Sequence, residues 1–239
     1  MKVLGIIPSR YASTRFPGKP LIDLKGKSMI QRVYEGALKS KLIDTLIVAT
    51  DDQRIFDEVV RFGGKVEMTD SNHATGTDRC AEVCERNPGF DIVINIQGDE
   101  PLVDARQLDQ LIQALQEDNV KIASLATPKI SKEELHNPNR IKVVLNEIGN
   151  ALYFSRNSVP FSSEGNLNYP FLRHIGLYGF KVNTLLEITK LDPTLLEKAE
   201  SLEQLRWLFY GYNIKIVTTE IETPNIDSPE DLELVMNRI

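Results

Sequence analysis

The chain has 239 residues, 41% of them hydrophobic and 26% charged, enough for one large α/β domain or two small ones with a sizeable core. Its formal net charge of −6 argues against a general nucleic-acid or membrane-surface binder, which would present a basic face. The charge is uneven: residues 1–32 hold seven Lys/Arg against one acid, Asp23, and the rest hold 21 basic against 33 acidic side chains, so a cationic segment opens an acidic body.

In chain order, "KVLGIIP" is an apolar run that suits a strand covered on both faces, too short for a signal peptide, and no later stretch reaches the length of a membrane span. A cytoplasmic protein is expected. After the loop "SRYASTRFPGKP" come a helix "MIQRVYEGALKS", a strand "DTLIVATD", and a helix "QRIFDEVVRFGG" ended by Gly63 and Gly64. A polar turn, "HATG", leads to a helix starting near Thr77 or Asp78, with either residue as its cap. That helix sets Cys80 and Cys84 on one face as core thiols, since no second pair completes a zinc site. A strand "DIVINIQGD" and an amphipathic helix "DARQLDQLIQALQ" follow. Past residue 120 the texture changes: "KIASLATPKI", "RIKVVLNEIGNALYFSR" and "HIGLYGFKV" predict strands, the middle segment turning at Glu147–Asn150. "PFSSEGNLNYP" is a polar loop, "SLEQLRWLFYG" a helix and "NIKIVTTEI" a strand. A last helix starts at Ser228, with Pro229 in its first turn and Leu232, Val235, Met236 and Ile239 as its buried stripe. Alternating strands and helices predict an α/β fold with a mostly parallel sheet. It forms a single domain, 1–239, with an antiparallel lobe inserted over about 120–190.

In open α/β sheets ligands sit beyond the carboxyl ends of the strands, which puts "SRYASTRFPGKP" at a site. Arg10, Arg15 and Lys19, with Ser13 and Thr14 as hydroxyl donors and Gly18 opening the backbone, suit a polyphosphate; the alternative is a solvated basic loop. There is neither a GxxxxGK[ST] nor a GxGxxG pattern. In "NIQGDEP" the strand ends at Gln97, Gly98 permits close approach, and Asp99 suits Mg²⁺, which takes one or two carboxylates and completes its shell with water and phosphate oxygens. Glu100 should point away from Asp99. Asp227 either joins Asp99 on the metal or favours the positive end of the last helix. Gly76 stands at a turn whose free N–H groups either hold an anion or simply start a helix.

The motifs "IPSRYASTRFPGKPL", "VATDD", "TGTDR", "INIQGDEP", "ALYFSR", "RHIGLYGF", "LEQLRWL" and "DSPEDLE", in that order from residue 5 to about 233, resemble those of the 3-deoxy-manno-octulosonate cytidylyltransferase family. The resemblance implies a Rossmann-like nucleotidyltransferase fold, CTP and the sugar acid Kdo as substrates, Mg²⁺ as cofactor, a homodimer, and CMP-Kdo for lipopolysaccharide assembly. It implies that Arg10, Arg15 and Lys19 bind the triphosphate, that Arg79 and Gln97 lie near the cytidine, and that Asp99 and Asp227 form the metal pair. Lys19, Arg15 and Asp99 are then the catalytic groups, and Arg156, His174, Tyr178, Glu203 and Gln204 form the sugar-acid pocket. Departures are "NIDS", "HATG" and a 161–170 loop without Lys or Arg, which keeps an 8-amino analogue of Kdo open as the substrate. Other readings are a nucleotidyltransferase for a neuraminate-type acid or a sugar phosphate, and a non-catalytic nucleotide sensor.

Overall fold

Val3–Ser9 forms the first strand, β1, with Leu4 and Ile6 buried in one hydrophobic cluster and Val3 and Ile7 in another. Successive side chains of a strand face opposite ways, so a run apolar at nearly every position is a strand covered on both sides. The computed structural model describes residues 1–12, 16–161, 169–224, 226 and 231–239.

Elements are numbered in chain order. Beside β1 lie β2 (Thr45–Thr50) and β4 (Ile92–Asn95), both parallel to it, and β3 (Val66–Met68) runs parallel to β2. Three more strands complete the path: β5 (Ile122–Thr127), β8 (Leu172–Lys181) and β9 (Ile214–Thr218). The order is β3-β2-β1-β4-β8-β5-β9, with β8 antiparallel to β4 and β5, and β9 parallel to β5. The expected antiparallel region is thus woven into the sheet through β5 and β8. The hairpin of β6 (Lys142–Leu145) and β7 (Ala151–Ser155) stands off that path, with β6 paired to the start of β8. It turns at Gly149, whose φ of 77° a side chain would strain.

On one face pack α1 (Met29–Ala37), α2 (Gln53–Arg61), α4 (Ala105–Leu115) and the last helix, α9 (Asp231–Met236). On the other pack α3 (Gly76–Arg86), α6 (Val182–Ile188) and α8 (Gln204–Phe209). Two short helices, α5 (Lys132–His136) and α7 (Leu195–Glu200), flank the hairpin side. Cys80 and Cys84 are buried free thiols; burial pushes Cys84 up to about 12, which makes it inert. The cap of α3 differs from expectation. Thr75 is the N-cap and Asp78 the third helical residue of a reciprocal capping box, which starts the helix at Gly76. In α9, Val235 is buried, with Leu232, Met236 and Ile239 packed beside it; the expected start at Ser228 and Pro229 lies outside the described residues. Among the described residues no helix is long and apolar enough to cross a membrane.

Candidate active site

β1 has β2 on one side and β4 on the other, so successive crossovers leave in opposite directions and a crevice opens at the carboxyl ends of β1 and β4. A cavity fills it. Its wall comes from Ser9 at the end of β1 and Arg10 after it, Lys19, Thr75 and Gly76 at the start of α3, Arg79, and the Gln97–Asp99 turn after β4. β4 ends at Asn95, two residues earlier than expected, and its line continues as Ile96 N–H donates to Ile6 O at 2.8 Å. Gly98 is required by packing: a Cβ there would lie 3.0 Å from Pro8 O.

Lys19 starts a single 3-10 turn, Lys19–Leu21, preceded by Gly18 at φ 73°. The Gly18 N–H, expected to face an anion, instead donates to Tyr11 O at 3.0 Å and closes the loop. Tyr11 in turn lies under Arg54, whose guanidinium carbon is 3.3 Å from the ring centroid. Lys19 Nζ donates to Asp99 Oδ2 at 2.8 Å and to Ile226 O at 2.6 Å, and the two side chains are 12% and 30% exposed. A carboxylate and a carbonyl therefore converge on a cation at the cavity wall. Arg79 is held by Asp51 at 3.0 Å and by Thr69 Oγ1; buried and paired, it is a fixed donor array at the cavity edge. His73, not expected at the site, also lines it and contacts Glu82 Oε2 at 2.6 Å.

A second cavity adjoins the first and shares Gln97 and Asp99 with it. Gln97 Nε2 donates to Gly176 O at 3.0 Å, fixing the amide between the two. His174, Tyr178 and Gln204, three of the residues expected in the sugar-acid pocket, line this cavity. The Ser124 hydroxyl lies 2.8 Å from Leu177 O and 2.8 Å from His174 Nε2. Burial pushes His174 down to about 3, so the ring is neutral. Glu203, expected in the same pocket, lines neither cavity; it accepts from Thr77 Oγ1 at 2.8 Å, and burial pushes it up to about 7.

Arg156, expected in the sugar-acid pocket, is not among the residues that line the second cavity. Its Nε, Nη1 and Nη2 donate to Glu200 O, Pro138 O and Ser201 O at 2.6, 2.9 and 3.2 Å, so it braces backbone rather than lining the cavity. Arg140 and Arg173 line the cavity instead, as does Glu100. Glu100, expected to point away from Asp99, lines this cavity with it; it is buried and accepts from Thr223 Oγ1 at 3.3 Å. Arg173 stood in the quoted "RHIG", and its signal was adjacency to His174. The expected ligands Ser13, Thr14, Arg15 and Asp227 lie outside the described residues.

A family model described as cytidylyltransferase matches residues 4–216. The 3-deoxy-manno-octulosonate cytidylyltransferase of Fusobacterium nucleatum is 48% identical, with 100% of this chain and 97% of that protein aligned. The one from Parabacteroides distasonis is 49% identical, over 98% and 96%. Among solved structures, a CMP:2-keto-3-deoxy-manno-octonic acid synthetase complexed with CTP superposes with a TM-score of 0.94 at 41% identity, covering 100% of this chain and 98% of that one.

Proposed function

The chain belongs to the cytidylyltransferase family, and from that premise we infer its reaction: it transfers CMP from CTP to 3-deoxy-manno-octulosonate (Kdo). The observation that carries the reading is the wall of Gln97 and Asp99 common to two cavities, which suits a reaction that joins a nucleotide to a second anion. The anomeric hydroxyl of the acid gives up its proton to solvent as its oxygen bonds to the α-phosphorus, and the bond from that phosphorus to the α–β bridging oxygen breaks, so that pyrophosphate departs. The product would feed lipopolysaccharide assembly.

Both reactants are anions, so charge neutralisation is the first requirement. A cation about 4 Å from an anion is worth about 4 kcal/mol at an effective dielectric near 20. We assign Lys19, with Arg10 and Arg15, to the triphosphate. What supports Lys19 is its ammonium at the first cavity. Gly76, Arg79 and Gln97 would hold the nucleoside end, with Ser13 and Thr14 as loop donors. His174, Tyr178 and Gln204 would serve the acid's hydroxyls. Lysine's partners, the Asp99 carboxylate and the Ile226 carbonyl, are hard oxygens of the kind Mg²⁺ selects. We therefore assign Asp99, with Asp227, to Mg²⁺. When bound, the ion would supply charge stabilisation at the phosphates and acidify the attacking hydroxyl.

The enzyme would work in the cytoplasm, where CTP is made, and as a homodimer. Exposed Ile148 and Leu152 on the β6–β7 hairpin support a contact there. The test is pyrophosphate release with CTP and Mg²⁺, comparing Kdo, 8-amino-Kdo and N-acetylneuraminate. Release with Kdo foremost supports the reading, and release with none of the acids overturns it.

A further inference from the structure

The acid received by the second cavity carries a carboxylate, and a carboxylate leaving water needs charged donors in fixed positions. Asp99 and Glu100 already put two carboxylates on that wall, so a third is admitted only where guanidinium groups answer it. Arg156 is committed to three backbone carbonyls. Arg140 lies 3.5 Å from Glu134. Arg173 differs. It lies on β8 directly before His174, and its Nη2 donates to Glu222 Oε1 at 3.0 Å. Its Nε–H is buried with no acceptor among the described residues. The arginine side chain is 12% exposed and its glutamate 42%, so the counter-ion is largely hydrated and screened. A guanidinium desolvated on these terms retains most of its donors for a planar oxyanion.

We propose that Arg173, rather than Arg156, receives the carboxylate of the sugar acid. The inference rests on the function proposed above. Arg173 and His174 both line the second cavity, near the amino-terminal end of β8, where β5 pairs Thr127 with Arg173 and Ala126 with His174.

The test compares Kdo with its C1 carboxamide, which keeps the hydroxyls and loses the charge, as acceptors for wild type, Arg173→Ala, Arg173→Gln and Arg173→Lys. Wild type is expected to prefer the acid. Arg173→Ala and Arg173→Gln should lower kcat/KM for the acid by about 10- to 100-fold, the worth of a charged hydrogen bond. The carboxamide rate and the KM for CTP should stay within about threefold of wild type, and Arg173→Lys should fall between. An equal loss on acid and carboxamide, or an undiminished preference for the acid, would overturn the proposal; if the alanine variant does not fold, the glutamine variant decides. No turnover of the acid by wild type would overturn the parent reading, and with it this inference.

Discussion

Lys19 and Asp99 hold each other at 2.8 Å in a nearly enclosed corner, and a cation placed between Asp99 and phosphate oxygens would free the ammonium for the triphosphate. Asp99→Ala is therefore expected to lower kcat by about 10³-fold without lowering the thermal midpoint, measured as pyrophosphate release beside a melting curve; near-normal turnover would remove Asp99 from the metal. Glu203 makes a separate prediction in pH. Burial raises it from 4.5 to about 7, so the folded state binds its proton more tightly than the unfolded chain does. The stabilisation is complete below pH 4.5 and is lost as pH rises through 7. Urea midpoints at pH 5 and pH 8 should show wild type losing more stability than Glu203→Gln; parallel losses would contradict the assignment. Placement at the cavity was legible for residues that follow a strand end, as with Arg10, Gln97 and Asp99, and for Lys19 in the cationic loop after β1. It was not legible for Arg140 and Arg173, which line one cavity where β6 pairs Lys142 with Arg173, a register that spacing along the chain does not reveal.

Among the elements, the loop from Asn137 to Ile141 is held by a lysine rather than by a helix or a strand. Lys142 is fully buried, and its Nζ donates to Asn137 O at 3.1 Å, Arg140 O at 2.6 Å and Arg156 O at 2.5 Å. Lys142→Met would leave the Arg140 and Arg156 carbonyls without their donor, Asn137 O keeping the Arg140 N–H at 3.1 Å, and should cost about 2 kcal/mol or more, read by chemical denaturation. At a temperature where the variant is folded, the KM for the acid should rise more than that for CTP. Gly98→Ala should lower stability by about 1–3 kcal/mol, because the β1–β4 crevice would have to open around Pro8 O; an unchanged denaturation midpoint would contradict that packing. The long apolar strands and α4 were legible because burial on both faces, or on one helical stripe, leaves a periodic record. β3, α5, α6 and α7 were not. At three to seven residues each, they are too short for a period to emerge, and their state is decided by neighbours.

For the whole molecule, the reversal of β8 explains why two cavities meet. β1 and β4 deliver the nucleotide wall at their carboxyl ends, and an antiparallel neighbour brings its own amino-terminal half to the same edge. Asn95 pairs with Tyr178 and Thr127 with Arg173, so the acid's wall adjoins the nucleotide's without a second domain. Composition and order of elements predict an α/β sheet, but this adjacency depends on strand direction, which the apolar pattern of β8 does not encode. The proposed dimer is checked by sedimentation: Ile148→Glu with Leu152→Glu should yield monomers that keep their CTP affinity. The central claim is that one nucleotide and one sugar acid react across Gln97 and Asp99. Phosphorus NMR of protein, CTP, Mg²⁺ and Kdo tests it most directly. One phosphodiester and one pyrophosphate should appear in equal amounts, and both should vanish with EDTA; CDP with inorganic phosphate, or turnover that survives chelation, would contradict the account.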